Sequence, residues 1–365
     1  MKNMLLMGAS VIVLTIGAAA SAAAQSSRID HVVIGNNNGE MSDTAGRSDN
    51  QSTRTNGLNN GSFDGAAGVS HAMQNNGSNN AVSSSDAVVL NARDALGQTG
   101  RVNARVGDNS TSDYGRTRAN DISGSYRASK GMFSVQQNNG DNNSVAGSNQ
   151  VQVKTGNEAI SSLTDTNQSI DGVNNAYSTG SSRQNTIQNN SFNNAKGILN
   201  LQQNNGDNNA MAQTNTVAVG VRTTGLEQRV TSTGRVGAAT GIGLGSSAYD
   251  QNVTRSNSLN NAFQNATGIV GIQQNNGNNN VMSSTNAIGV TVGGLGMAAQ
   301  SAALEATVSN AYSVQSIGAT PSTLTNNASN IMTGAKGVMT LQQNNGNNNV
   351  MQSAVMVSAN IPARP

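Results

Sequence analysis

One block of sequence recurs five times with its internal spacing unchanged, and this restricts the chain to architectures built by stacking. In its fullest form the block runs from Gly197 through Ile198, Leu199, Asn200 and Leu201 into Gln202, Gln203, Asn204, Asn205, Gly206, Asp207, Asn208 and Asn209. It continues through Ala210 and Met211 to Val219. The other copies open at Gly68, Gly131, Gly268 and Gly337, so successive blocks lie 63, 66, 71 and 69 residues apart. In each copy the turn glycine (Gly77, Gly140, Gly206, Gly277 or Gly346) falls nine residues after the opening glycine. All variation in length therefore lies between blocks. One copy alone is too short to cover its own apolar face, whereas copies laid at ~4.8 Å spacing cover one another and pair their backbone amides.

On both sides of the turn the apolar period is two, which assigns strands. After the turn, Met211, Gln213, Asn215, Val217 and Val219 match Met282, Ser284, Asn286, Ile288 and Val290. The expected strand core comprises Val135, Leu201, Ile272 and Leu341 before the turn and Met211, Met282 and Met351 after it. The Asn-Gly pair between them supplies the left-handed backbone that a tight reversal needs. In-register stacking places Gln137, Gln203, Gln274 and Gln343 above one another, with Asn139, Asn205, Asn276 and Asn345 as a second row, forming an assembly ladder of amide hydrogen bonds. Repeat one carries Met73 and Gln74 in place of two glutamines, which predicts a broken ladder and an end unit. The expected fold is all-β, a β-solenoid of stacked strand-turn-strand (β-arch) repeats.

The division that follows is a signal peptide over residues 1–24, an amino-terminal segment 25–56, and repeat one over 57–90. Spacer-plus-repeat units follow over 91–153, 154–219, 220–290 and 291–361, with a tail of 362–365. The leader is read from Lys2, the apolar run from Met4 to Gly17, and Ala22 and Ala24 before Gln25. In the amino-terminal segment, Val32, Val33, Ile34 and Gly35 followed by Asn36 to Gly39 look like a truncated block, expected to act as a cap. The spacers are expected to hold further strands, and Tyr114, Tyr177, Tyr249 and Tyr312 precede their blocks there.

Composition excludes several function classes. Only 2% of residues are aromatic and 10% charged, cysteine and tryptophan are absent, and three prolines occur. Such a polar, weakly charged, proline-poor chain favours β assembly over disorder. The net charge of +2 offers no attraction for nucleic acid. Catalysis is not expected: the two histidines are His31 and His71, and His71 occupies a position held by Ser134, Asn200, Gly271 and Thr340 in other repeats. Asp141 and Asp207 in the turns align with Ser78, Asn278 and Asn347, which argues against a calcium solenoid, and no cofactor or metal site is expected. Lys130, Lys154, Lys196 and Lys336 lie near the strands, either as gatekeepers against premature aggregation or as isolated surface lysines with no special role.

The blocks resemble the repeats of secreted bacterial functional amyloids, particularly the Fap type. The resemblance rests on the approach Phe192, Asn193, Asn194, Ala195, Lys196, Gly197, repeated over Phe263 to Gly268, and on the alternating strand and the Gln/Asn-rich turn. It is more distantly similar to curli, since Gln202, Gly206 and Gln213 fall at curlin-like spacing, with Ser284 and Ser353 in place of the last glutamine in repeats four and five. The resemblance implies a protein exported by a Gram-negative-type bacterium through a dedicated outer-membrane channel. It further implies a homopolymer that assembles outside the cell, with a nucleator subunit as partner, in a biofilm matrix or attachment role. A monomeric β-solenoid adhesin or surface-layer protein is the alternative.

Overall fold

The computed structural model describes residues 26–35, 53–59, 61–91, 96–107, 110–156, 159–171, 175–237, 247–293, 298–308, 312–315 and 322–361. The expected leader, Asn36 to Gly39, Pro362 and Pro365 lie outside these residues. The described residues form 24 strands and no helix, arranged as five rungs. The first rung contains β1 (Ser26–Gly35), β2 (Thr53–Asn59), β3 (Ala67–Asn75) and β4 (Ala81–Asn91). The second contains β5 (Leu96–Gly107), β6 (Ser110–Tyr114), β7 (Thr117–Ser123), β8 (Lys130–Asn138) and β9 (Ser144–Thr155). The third contains β10 (Ile160–Asp171), β11 (Asn175–Thr179), β12 (Ser182–Gln188), β13 (Lys196–Asn204) and β14 (Ala210–Val221). The fourth contains β15 (Leu226–Val236), β16 (Ser247–Gln251), β17 (Thr254–Asn260), β18 (Thr267–Asn275) and β19 (Val281–Val292). The fifth contains β20 (Ala298–Val308), β21 (Tyr312–Gln315), β22 (Thr323–Ser329), β23 (Lys336–Asn344) and β24 (Val350–Ile361).

Every strand pairs in parallel with its counterpart in the neighbouring rung, so one repeat is one rung and the spacers are strands as expected. Five sheets run along the stack: sheet I (β1-β5-β10-β15-β20), sheet II (β6-β11-β16-β21), sheet III (β2-β7-β12-β17-β22), sheet IV (β3-β8-β13-β18-β23) and sheet V (β4-β9-β14-β19-β24). Four of them form layers in the order III, IV, V, I. Between III and IV lies a core of Ile122, Ile187 and Leu259 against Val135, Leu201 and Ile272. Between IV and V, Met132, Ile198 and Ile269 meet Val151, Val217 and Ile288, and Met211 and Met282 form a second cluster with Met351 at its margin. Between V and I, the small residues Ala146 and Ala210 lie against Val102, Val106, Ile170 and Val236. Sheets IV and V are thus buried on both faces, which the narrow Ala, Ser and Thr positions of sheet V permit.

The corner from sheet III to sheet IV is braced by a column of rings. Phe63, Tyr126, Phe192 and Phe263 stack with centroids 4.8, 4.7 and 4.8 Å apart, and Met332 packs against the same core. Each of these residues adopts a positive φ of 56 to 62°. That conformation is uncommon for bulky side chains, and here it turns each ring inward onto its neighbours, where stacking offsets the backbone cost.

Several expectations are corrected. The strand containing Val32 to Gly35 pairs with Asn103 to Val106 in sheet I, so it is a spacer strand and not a truncated block. No register was expected of the spacer tyrosines, and Tyr177 and Tyr249 stack at 4.8 Å while Tyr114 is in register with Thr179 and Tyr312 with Ser247. Leu341 belongs to the core column yet is 41% exposed, since no sixth rung covers it. Lys154 is fully buried and is not a surface gatekeeper.

Candidate assembly core

The turn between sheets IV and V is where the polar repeat acts structurally. The strands it joins belong to different sheets, so it is an arch and not a hairpin. The left-handed residues are Asn79, Asn142, Asn208, Asn279 and Asn348, with φ of 54 to 57°. This corrects the reading of Gly77, Gly140, Gly206, Gly277 and Gly346 as the positive-φ residues. Their need for glycine is steric: a Cβ on Gly140 would lie 1.8 Å from the carbonyl oxygen of Gly206, and one on Gly206 would lie 1.9 Å from that of Gly277. Positive φ belongs instead to the opening glycines, such as Gly131 at 134° and Gly197 at 127°.

Around these glycines the asparagines bind both their own turn and the next. Asn204 donates from Nδ2 to the Gly206 carbonyl at 3.1 Å and accepts from Asn209 Nδ2 at 3.1 Å, closing the turn. Backbone amides are satisfied between rungs, as when Asn209 N–H donates to Asn143 Oδ1 at 2.8 Å and Asp207 N–H to Asn278 Oδ1 at 2.8 Å. These amides would otherwise be buried donors without acceptors.

The predicted glutamine ladder is present and longer than expected. Gln343 donates to Gln274 at 2.6 Å, and Gln274 to Gln203, Gln203 to Gln137 and Gln137 to Gln74 each at 2.7 Å. Gln74 therefore continues the column, and Met73 interrupts only its neighbour. That neighbour runs through Gln136, Gln202, Gln273 and Gln342 with the opposite sense, each amide donating toward the fifth rung at 2.9 to 3.0 Å. The asparagine row also forms: Asn139 donates to Asn205 and Asn205 to Asn276 at 3.1 Å, and Asn276 to Asn345 at 3.3 Å. It interleaves with a column absent from the sequence reading, Asn56, Asn120, Asn185, Asn257 and Asn326 of sheet III, whose members bond in series at 2.9 to 3.1 Å. Asn185, for example, also donates to Asn205 Oδ1 at 2.9 Å.

A charged column was likewise missed. Arg118, Arg183 and Arg255 of sheet III are fully buried against the turn. Arg118 meets Asp141 at 2.8 Å; Arg183 bridges Asp141 at 3.3 Å and Asp207; Arg255 bridges Asp207 and Asp250, each at 2.7 Å. Three guanidinium groups thus face three carboxylates in alternation. The turn aspartates are held by arginine, which leaves no role for a cation there. Burial would raise Asp141, but Arg118 and Arg183 hold it below the usual carboxylate range. Burial dominates at Asp250 and pushes it up, with Arg255 opposing and Asp207 adding. The signal for both columns was an Arg-x-Asn triplet, Arg118 to Asn120, Arg183 to Asn185 and Arg255 to Asn257, lying thirteen or fourteen residues before the opening glycine.

At the first rung a further asparagine column ends in charge. Asn286 donates to Asn215 at 2.9 Å, Asn215 to Asn149 at 3.1 Å, and Asn149 to Asp86 at 2.8 Å. His71 Nε2 lies 3.2 Å from the same carboxylate, so His71 is one half of a pair at the end of a column. Burial pushes Asp86 up to about 7 against the opposing bond from Asn149. At the fifth rung Val355 occupies this position.

No family model, curated protein or solved structure matches this chain.

Proposed function

We propose that the chain is an exported structural subunit that self-assembles end to end into extracellular amyloid-like fibres, for a biofilm matrix or surface attachment. The observation that carries this reading is the likeness of its two open ends. Gln343, Asn344, Asn345, Gly346 and Asn326 on the fifth rung occupy the same columns as Gln74, Asn75, Asn76, Gly77 and Asn56 on the first. The first rung of a second copy, set on the fifth rung of the first, would continue these columns in register. Leu341, Val350 and Ile361 on the fifth rung are 41, 45 and 51% exposed, and such a copy would cover them. Charge or proline that would blunt an edge is absent from the described part of the fifth rung's sheets III, IV and V except at Lys336. Export rests on the leader pattern; the channel and nucleator implied by the resemblance would be its partners.

A second reading, a monomeric β-solenoid adhesin, is favoured by one feature. End-to-end stacking sets Asp86 over Val355 and Met73 against Gln342, two mismatched columns at the joint. The deciding experiment is dilution of the mature chain from denaturant, followed by electron microscopy and fibre diffraction. Fibres with ~4.7 Å meridional and ~10 Å equatorial spacings are expected. A folded monomer that persists at high concentration would refute the fibre reading and leave the adhesin.

A further inference from the structure

Away from the turn, the wall between sheets IV and V opens into a groove of about 490 Å³ running along the stack. Met132, Ile198 and Ile269 form one side and Val151, Val217 and Ile288 the other. It continues at the first rung through Val69 and Val88, each 50% exposed. One lip is made of the opening glycines, and side chains cannot close it. A Cβ on Gly131 would fall 1.9 Å from the Gly68 carbonyl oxygen, and one on Gly197 2.0 Å from that of Gly131. The fold therefore holds open an apolar slot that spans about three rung spacings, roughly 14 Å.

Immediately before two of the lip glycines, Gly131 and Gly197, stand Lys130 and Lys196, both exposed. Lys130 and Lys196 are in register on adjacent strands. Like charges directly opposite one another destabilise a sheet, and the corresponding residues Ala67 and Thr267 show that the position does not require lysine. Among the described residues neither lysine has an acidic partner within salt-bridge distance. A paired positive charge at the mouth of a long apolar slot is complementary to a single-chain anionic amphiphile. The geometry points to a binding site for a fatty-acid-type carboxylate, with its alkyl chain lying along the stack against Ile198 and Val217 and its headgroup on Lys130 and Lys196. The slot lies within each chain, so the site is independent of whether copies assemble.

The test is titration of the folded mature chain with dodecanoate below its micelle concentration, followed by calorimetry and by displacement of a polarity-sensitive dye. Dodecyltrimethylammonium serves as the cation of equal chain length. Saturable binding of one dodecanoate per chain is expected. The pair Lys130→Glu and Lys196→Glu should weaken it at least tenfold and leave the dodecyltrimethylammonium affinity equal or higher. Val217→Phe, which fills the slot, should abolish dodecanoate binding while circular dichroism remains that of a β fold. Non-saturable uptake, or saturable binding unchanged in both variants, would overturn the proposal. Fibre formation, followed by microscopy in the same samples, reports separately on assembly.

Discussion

Removal of Arg183 offers the sharpest test of the buried charge column. Arg183 is fully buried, bridges Asp141 and Asp207, and donates to the Asn205 carbonyl at 2.9 Å and to Ser178 Oγ at 2.7 Å. Arg183→Leu leaves Asp141, Asp207 and Asp250 facing only Arg118 and Arg255. Breaking a buried pair in this way costs about 3–5 kcal/mol, because one carboxylate is left uncompensated. The molecule itself suggests the repair. The fourth rung carries Asn278 at the aspartate position, and the fifth carries Leu324 at the arginine position with Asn347. Combining Arg183→Leu with Asp207→Asn leaves two balanced pairs, Arg118 with Asp141 and Arg255 with Asp250. The side-chain oxygen of the introduced amide would still accept the Asp141 N–H, as Asn278 accepts that of Asp207. The double variant should lie within about 1–2 kcal/mol of the parent, the residual loss being the bonds that Arg183 donates to the neutral acceptors Asn205 O and Ser178 Oγ. Urea unfolding of the monomer at pH 7, followed by far-ultraviolet circular dichroism, measures both. The pH dependence has a defined sign. In the parent, Asp141 has a lowered pKa, so its contribution is present above the unfolded carboxylate pKa of about 4 and is lost as the pH falls below that. In Arg183→Leu the carboxylate rises instead, so the gap between the two proteins should narrow toward pH 4. A single variant costing less than ~1 kcal/mol, or a double variant no better than the single, would refute the argument.

Further outcomes are expected. Asp86, raised to about 7, contributes stability that is present below pH ~4 and lost as the pH climbs to about 7. Asp86→Asn should therefore stabilise the fold at pH 8, with a ceiling of about 4 kcal/mol, and have little effect at pH 4; equal shifts at both pH values would contradict this. Gly206→Ala forces a Cβ onto the Gly277 carbonyl and should cost several kcal/mol by thermal melting. Gly65→Ala, where φ is +65° with open space around, should cost only about 1 kcal/mol by the same assay. Phe192→Ala opens the middle of the ring column and should cost about 3–5 kcal/mol; a loss under ~1 kcal/mol would show that the column is ornamental. Replacing Gln203, Gln274 and Gln343 together with lysine aligns like charges along one column and should slow fibre growth in a dye-binding assay; unchanged kinetics would remove that ladder from the assembly mechanism.

The central columns were legible because a fixed frame forces identical residues into register. Gln137, Gln203, Gln274 and Gln343, Leu201 with Ile272, and the asparagine row could be aligned by counting from the opening glycine. The arginine column resisted this because the corner between sheets III and IV varies by one residue, which shifts Arg118 and Arg183 relative to their glycines. The tyrosines are no guide to register for a related reason: the stretches that carry them vary in length, so Tyr114 and Tyr312 fall out of line with Tyr177 and Tyr249. At the turn the expected arch forms, because both flanking strands find parallel partners in the neighbouring rungs and not in each other. Burial of sheet V on both faces was hidden because its second face is lined by Ala, Ser and Thr, which do not alternate conspicuously with the polar residues around them. Gln74 was misjudged by treating a glutamine pair as one unit, when its two members belong to separate columns on opposite faces of sheet IV.

The opposed sense of the two glutamine columns belongs to a wider balance. The columns through Gln136, Asn139 and Asn120 donate toward the fifth rung, while those through Gln137, Asn138 and Asn149 donate toward the first. Three rows of amide dipoles therefore point each way along the axis. A stack whose rows all pointed alike would accumulate partial charge at its ends, as a helix does, and each added rung would sharpen the difference between them. Here the opposed side-chain rows offset one another in the second to fourth rungs, where all six columns are occupied by amides. The stack has a chemical direction, set by its parallel strands, with no matching electrical direction from its side-chain ladders, and both ends present donors together with acceptors.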